Sequence, residues 1–234
     1  MKEIALILAS LAAVASLPAQ ALVAAPAAPS YSVTVDFPYV GKYCFRGVKY
    51  AKGSFQPSVK LTSGDFYVGI WGNVPVDRGY ELEVDYYAGY GLKLSKSWAL
   101  DVGLTAYSYP GLDTSGGADK TTFEGYAGVI GTFGSFTTGL YVYNDFTLKA
   151  FTLQGTVGYS VTINAKASFN LLGTIGHVSP DGGADYTYYG VGATVPYKIT
   201  DKLTFTAGLQ FATHNIGLVE ANHFWGTAGL TYAF

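Results

Sequence analysis

The sequence predicts an all-β fold, a transmembrane antiparallel up-and-down β-barrel of about 12 strands, and three observations lead there. Hydrophobicity alternates with a period of two along most of the chain after Tyr31. Charge is scarce for a chain of this size, and short connections between the alternating segments take turns with longer ones.

The alternation is clearest at Trp98–Tyr109. Trp98, Leu100, Val102, Leu104 and Ala106 share one face, and Ala99, Asp101, Gly103, Thr105, Tyr107 and Tyr109 share the other. Between Tyr80 and Leu94, one face carries Leu82, Val84, Tyr86, Tyr90 and Leu92 while the opposite one carries Glu81, Glu83, Asp85 and Tyr87. Leu203, Phe205, Leu209 and Phe211 alternate with Thr204, Thr206, Gly208 and Gln210 in the same way. Extending this pattern predicts strands over 31–48, 54–62, 65–74, 79–94, 98–109, 121–133, 135–145, 148–162, 164–178, 185–199, 202–214 and 223–234. Their lengths suit the roughly 9–11 residues that a tilted strand needs to cross a bilayer.

Charged residues make up only 13% of the 234 residues, against about a quarter in an ordinary soluble domain. Contact with hydrocarbon accounts for the deficit, because a lipid-facing surface cannot carry charge cheaply. A soluble β-sandwich also alternates, but its outward face is polar. Here one face is apolar on nearly every strand while the other carries Thr, Tyr, Gly and scattered charges, so the expected molecule is apolar outside and polar inside. A net charge of −2 offers no field for nucleic acid. The single cysteine, Cys44, excludes an intramolecular disulfide and a cysteine zinc cluster, and reads as a small packing residue.

The connections carry the orientation. Ser63-Gly64, Ser95-Lys96-Ser97, Gly134, Ile163 and Thr200-Asp201 are tight, whereas Pro110–Lys120, Ser179–Asp185 and Asn215–Asn222 are longer; Asp145–Thr147 breaks the rule. Short periplasmic turns and longer external loops are the outer-membrane arrangement. The N-terminus fits export: Lys2 starts it, Ile4–Leu17 is a run of 14 residues without charge, and Ala19-Gln20-Ala21 offers a cleavage site. The run is too short for a membrane helix of about 20 residues. The expected organisation is a signal peptide over 1–21, an Ala/Pro-rich linker over 22–30 and the barrel over 31–234.

At the other end, Thr227, Gly229, Tyr232 and Phe234 resemble the C-terminal signal by which the outer-membrane assembly machinery recognises its clients. A wider resemblance begins at Tyr43-Cys44-Phe45-Arg46-Gly47-Val48. It continues through Gly69-Ile70-Trp71-Gly72-Asn73-Val74, Glu81-Leu82-Glu83-Val84-Asp85, Tyr86-Tyr87-Ala88-Gly89-Tyr90 and Tyr107-Ser108-Tyr109-Pro110, with a weaker echo at Asp181–Tyr186. Over roughly residues 33–110 the chain is similar to the TorF-type family of outer-membrane porins. That resemblance implies a barrel and a pore without a defined solute.

With these faces, the lumen receives Asp36, Lys42, Arg46, Lys60, Glu81, Glu83, Asp85, Lys93, Asp101, Glu124 and Lys166, together with Tyr67, Trp71, Tyr87, Tyr107, Tyr126, Tyr141 and Tyr143. Of these, Arg46, Lys60, Trp71, Glu81, Glu83, Asp85, Asp101, Glu124, Tyr107 and Tyr141 are the candidate pore-lining residues. Nearly balanced signs also fit cross-lumen pairing in a filled interior, since charges inside a barrel persist only when paired or hydrated. Barrels of about eight strands are filled and those of about sixteen hold channels; a barrel of about twelve lies between. Glu81, Glu83 and Asp85, two residues apart on one face, predict a hydrated, cation-attracting upper lumen.

Enzymatic and metal readings have thinner support. His177 and Ser179 share the outward face near Asp181, but Pro180 and two glycines follow, as at a loop onset. His214 and His223 flank the last long loop without a third metal ligand, and the Asp/Gly-rich loops 113–119 and 181–185 are also ordinary turn sequences. The expectation is no enzyme, no cofactor and no metal. Passage of small polar solutes through a barrel in the outer membrane of a Gram-negative-type bacterium is the first functional reading, with lipid and the assembly machinery as partners. A non-conducting structural or surface-interaction barrel is the alternative, and a lipid-modifying hydrolase the second.

The terminal aromatic yields a test. Deleting Phe234, or Phe234→Asp, leaves unfolded protein in the periplasm, read as loss of the heat-modifiable folded band; a normal folded yield removes the role assigned to Gly229, Tyr232 and Phe234.

Overall fold

Period-two alternation buries one face of each strand against the barrel interior and turns the other outward, and the backbone ladders then close on themselves. The computed structural model describes residues 31–217 and 219–234. The export-signal and linker readings fall on residues 1–30, outside the described residues. Fifteen segments are β-structure: β1 (Ser32–Val40), β2 (Tyr43–Phe45), β3 (Val48–Ala51), β4 (Ser54–Phe55), β5 (Ser58–Ser63), β6 (Phe66–Pro75), β7 (Glu83–Lys93), β8 (Trp98–Ser108), β9 (Thr121–Phe133), β10 (Phe136–Asp145), β11 (Ala150–Thr162), β12 (Ser168–Pro180), β13 (Tyr186–Lys198), β14 (Leu203–His214) and β15 (His223–Ala233).

From β5 to β15 each strand pairs antiparallel with the next, and β1 closes the ring by pairing with β15 from Thr34↔Ala233 to Val40↔Thr227. β4 and β5 together form one wall strand between β1 and β6. Pro57 lies at the break between them, since it lacks the N–H a continuous ladder needs. Backbone bonds bridge the break on both sides: Gln56 N–H donates to Pro38 O (2.8 Å) and Gly72 N–H to Pro57 O (2.9 Å). The result is a closed antiparallel barrel of 12 wall strands, the fold class the sequence predicts. β2 and β3 stand apart as a separate two-stranded sheet.

The outward face is apolar along the wall, with Val59, Ile70, Tyr86, Leu104, Phe123, Leu140, Val157, Ile175, Val191, Leu209, Phe224 and Leu230 all exposed. Facing hydrocarbon, such residues do not need cover. The inward face uses tyrosine and glycine together. Tyr87 lies directly opposite Gly69, Tyr67 opposite Gly89, Tyr126 opposite Gly103, Tyr141 opposite Gly128 and Tyr188 opposite Gly176. In each case the tyrosine ring occupies the space that a Cβ on the glycine would fill. Large rings therefore lie flat against the wall instead of standing across the lumen.

The first predicted strand, 31–48, requires correction. The wall strand ends at Val40, and the chain turns inward to form the β2–β3 hairpin before rejoining the wall at β4. Tyr43–Val48 alternates like a strand because it is one, though it belongs to a different sheet.

Connections alternate around the barrel as the sequence indicates. One end carries the turns at 64–65, 94–97, 134–135, 163–167 and 199–202; the other carries the hairpin and the connections 76–82, 109–120, 146–149, 181–185 and 215–222. An epitope inserted between Ser115 and Gly116 is accordingly expected to be detected on intact cells, and one between Ser95 and Lys96 only after permeabilisation. The opposite pattern inverts the orientation.

Candidate functional site

The site is the upper lumen, where the β2–β3 hairpin sits inside the barrel. Its tip is a two-residue turn, Arg46 (φ +45°) and Gly47 (φ +84°), the pair of left-handed residues that a tight hairpin turn requires. Glycine accepts that conformation freely, and at Gly47 a Cβ would also stand 2.7 Å from Thr213 O. Arginine does not favour it. A non-glycine residue held at positive φ points to contacts that hold it there.

Those contacts are electrostatic. Arg46 Nη2 donates to both carboxylate oxygens of Glu124, at 2.9 and 2.8 Å, and both side chains are almost fully buried (3% and 1% exposed). Tyr107 Oη donates to Glu124 Oε1 (3.0 Å), and the guanidinium lies 4.9 Å from the centroid of the Tyr143 ring. A buried charge persists only when paired in this way. Around the latch, hairpin residues Tyr43, Phe45 and Ala51 form an apolar core with Trp71 of β6, Val178 of β12 and Tyr186 and Tyr188 of β13. Tyr43 packs 5.6 Å from Trp71 and 5.8 Å from Tyr50. The hairpin thus reaches from β6 to β13 and fills the space between. At the rim, Lys49 Nζ bonds Glu220 Oε2 at 2.6 Å, which holds the Glu220 carboxyl below its usual range.

The sequence-derived pore-lining set falls into three groups. Arg46, Trp71, Glu83, Asp85, Tyr107 and Glu124 all lie in the upper lumen, but buried against the hairpin or its partners. Glu83 and Asp85 are 3% and 5% exposed, and Glu83 accepts a hydrogen bond from Tyr109 Oη (3.2 Å). Arg46 is bonded to Glu124 and not to either of these acids. Asp101, Lys60 and Tyr141 occupy the other half of the lumen: Asp101 accepts from Tyr67 Oη (2.6 Å) and Tyr141 Oη (3.1 Å), and Lys60 Nζ lies 4.9 Å from the Tyr67 ring centroid. Glu81 departs from the expectation. It precedes β7, in the 76–82 connection, and is exposed, because the strand begins only at Glu83.

At the C-terminus, Gly229 lies opposite Pro38 across the closing seam, and the Tyr232 and Phe234 rings pack edge-on at 4.7 Å on the outside.

Some lumen residues were not singled out from the sequence. Tyr188 Oη donates to Gln154 Oε1 (2.6 Å), and Gln56 Nε2 donates to Asn73 Oδ1 (3.1 Å). The facing of Tyr188 and Gly176 on adjacent strands is the pattern that could have marked the first pair. His214 and His223 are likewise inside, beside the hairpin, with rings 6.1 Å apart; no group of three or more His, Cys, Asp or Glu side chains among the described residues could hold a metal ion. On the outer rim, Ser179 Oγ (3.0 Å) and His177 Nε2 (3.4 Å) both approach Asp185 Oδ2, so the acid lies between the serine and the histidine. Nucleophilic activation needs the base on the serine itself.

Beside the hairpin the lumen stays open. A cavity of about 270 Å³ lies between Tyr43, Cys44, Arg46 and Gly47 on the hairpin side and the inner faces of β12–β15.

The family model described as "Bacterial protein of unknown function (Gcw_chp)" matches residues 24–217. No protein of curated function matches the chain in sequence. Among solved structures, the KdgM porin is similar with a TM-score of 0.61 and 11% identity, over 86% of this chain and 99% of that one. The NanC porin is similar with a TM-score of 0.56 and 13% identity, over 86% and 98%. At these identities the likeness is one of fold: a porin-like barrel.

The latch makes a quantitative prediction. Glu124→Gln leaves Arg46 as a buried charge without its partner and lowers the unfolding free energy by about 3 kcal/mol. Tyr107→Phe removes one hydrogen bond and costs about 1 kcal/mol. Urea unfolding in lipid vesicles checks both, and equal small effects would show that apolar packing alone holds the hairpin.

Proposed function

The chain belongs to the Gcw_chp family, and we propose that it is an outer-membrane porin of a Gram-negative-type bacterium, through which small polar solutes diffuse along the open side of its hairpin-occupied lumen. The observation that carries the reading is the cavity of about 270 Å³ left beside the hairpin, in a barrel whose outward face is apolar and whose inward face is polar. Its volume sits just below the usual range for ligand pockets, which suits small solutes. The TorF-type resemblance over residues 33–110 agrees with a porin, and the C-terminal Gly229, Tyr232 and Phe234 agree with delivery by the outer-membrane assembly machinery into lipid.

A second reading has its own observation. The aromatic core between hairpin and wall is the interior of a plug, and a barrel closed by it would be a structural or surface-interaction element of the membrane. One experiment separates the two. Refolded protein in a planar bilayer is expected to show discrete openings, and replacing residues 43–51 by a short Gly/Ser linker is expected to raise the single-channel conductance. A silent wild-type barrel that conducts once the hairpin is removed favours the plug; silence in both overturns the porin.

A further inference from the structure

We infer that the cavity beside the hairpin is an anion subsite for a small carboxylate-bearing solute, with the Lys42 ammonium as its charged donor. The inference rests on the transport reading and names the solute class for it.

The hairpin divides the upper lumen unequally. On the side of β7–β10 lie Glu83, Asp85, Glu124 and Asp145, all buried. Glu124 is bonded to Arg46 and Tyr107, and Asp145 Oδ1 accepts the backbone N–H of Thr147 and of Leu148 (2.9 and 2.6 Å). These carboxylates are shut away from the passage. On the side of β12–β15, the cavity is lined by Lys42, Arg46, Gln56, Thr174, Gln210 and Trp225 among others, and no Asp or Glu contributes to its lining. Acids and bases are nearly balanced over the lumen as a whole, yet the charged side chains that line this cavity are cations.

Arg46 borders the cavity, but its charge is balanced at Nη2 by Glu124 and its Nε has no surface open to a solute. Lys42, half-buried at the mouth, makes no ion pair among the described residues; Glu220, which shares that rim, is bonded to Lys49. The opposite wall is flattened by Gly190 and Gly192, with Thr174, Thr227 and Gln210 supplying neutral polar groups for the rest of a solute.

The test compares gluconate with sorbitol, which share a carbon skeleton and differ by the carboxylate. Wild-type channels in a potassium chloride gradient are expected to prefer chloride, and millimolar gluconate to reduce their current where sorbitol does not. Lys42→Gln is expected to lower the chloride-to-potassium permeability ratio roughly tenfold, about threefold for each ion, as for one charge about 6 Å from a hydrated ion path, and to abolish the gluconate effect; Lys42→Arg preserves both. Equal block by the two solutes, or a wild-type reversal potential in Lys42→Gln, overturns the inference. A folded barrel that passes no current overturns the transport reading instead. Tryptophan fluorescence then decides the subsite: gluconate quenching that disappears in both Trp225→Phe and Lys42→Gln supports it, and no quenching overturns it.

Discussion

Backbone closure is the constraint from which the rest of this structure follows. In hydrocarbon every N–H and C=O must find a partner within the protein, and a sheet meets that demand only when its first strand pairs with its last. The β1–β15 seam, in register from Thr34↔Ala233 to Val40↔Thr227, does so here. Once the ring is closed, the pleat decides which side chains meet lipid and which meet the lumen. The low charge content, the exposed aliphatic residues and the inward tyrosines are consequences of that geometry.

Closure creates a second problem, because a ring of 12 strands encloses more space than side chains from its own wall readily fill. The chain meets it in two ways. Tyrosine rings folded over cross-strand glycines thicken the wall from within, and the β2–β3 hairpin adds material from the rim. The hairpin carries its own apolar contacts, so part of the lumen acquires a soluble-protein type of core inside an otherwise inverted molecule. What remains open is asymmetric: the acids are sealed behind the hairpin while Lys42 and Arg46 border the cavity. The charge that a solute would meet beside the hairpin is therefore positive, although acids and bases are nearly balanced over the inward face.

The wall was legible from one dimension. Alternation at Trp98–Tyr109 or Leu203–Phe211 needs only the period of the pleat, and each predicted wall strand after the first overlaps an observed one. The same rule placed Tyr67, Trp71, Tyr87, Tyr107, Tyr126, Tyr141 and Tyr143 on the inner face. It misplaced the end of the first strand, because Tyr43–Val48 alternates as a strand whether it lies in the wall or in a hairpin within it. The turn signal was present in Arg46-Gly47, but Asn or Asp is the usual partner of glycine in such turns, and arginine reads as a strand residue with a lumenal charge.

Local periodicity and composition thus determined the barrel, its strand count and its faces, because those properties depend on residues two apart and on the cost of charge in lipid. Which inward groups meet was settled only by the folded chain. Arg46 and Glu124 are 78 residues apart, and their contact depends on a hairpin crossing the lumen at a particular height. Nothing in the spacing of Glu81, Glu83 and Asp85 records that Glu81 lies outside the strand and the other two beneath the hairpin. Pairing across an enclosed volume is a property of three-dimensional distance, and the period of a strand carries no term for it.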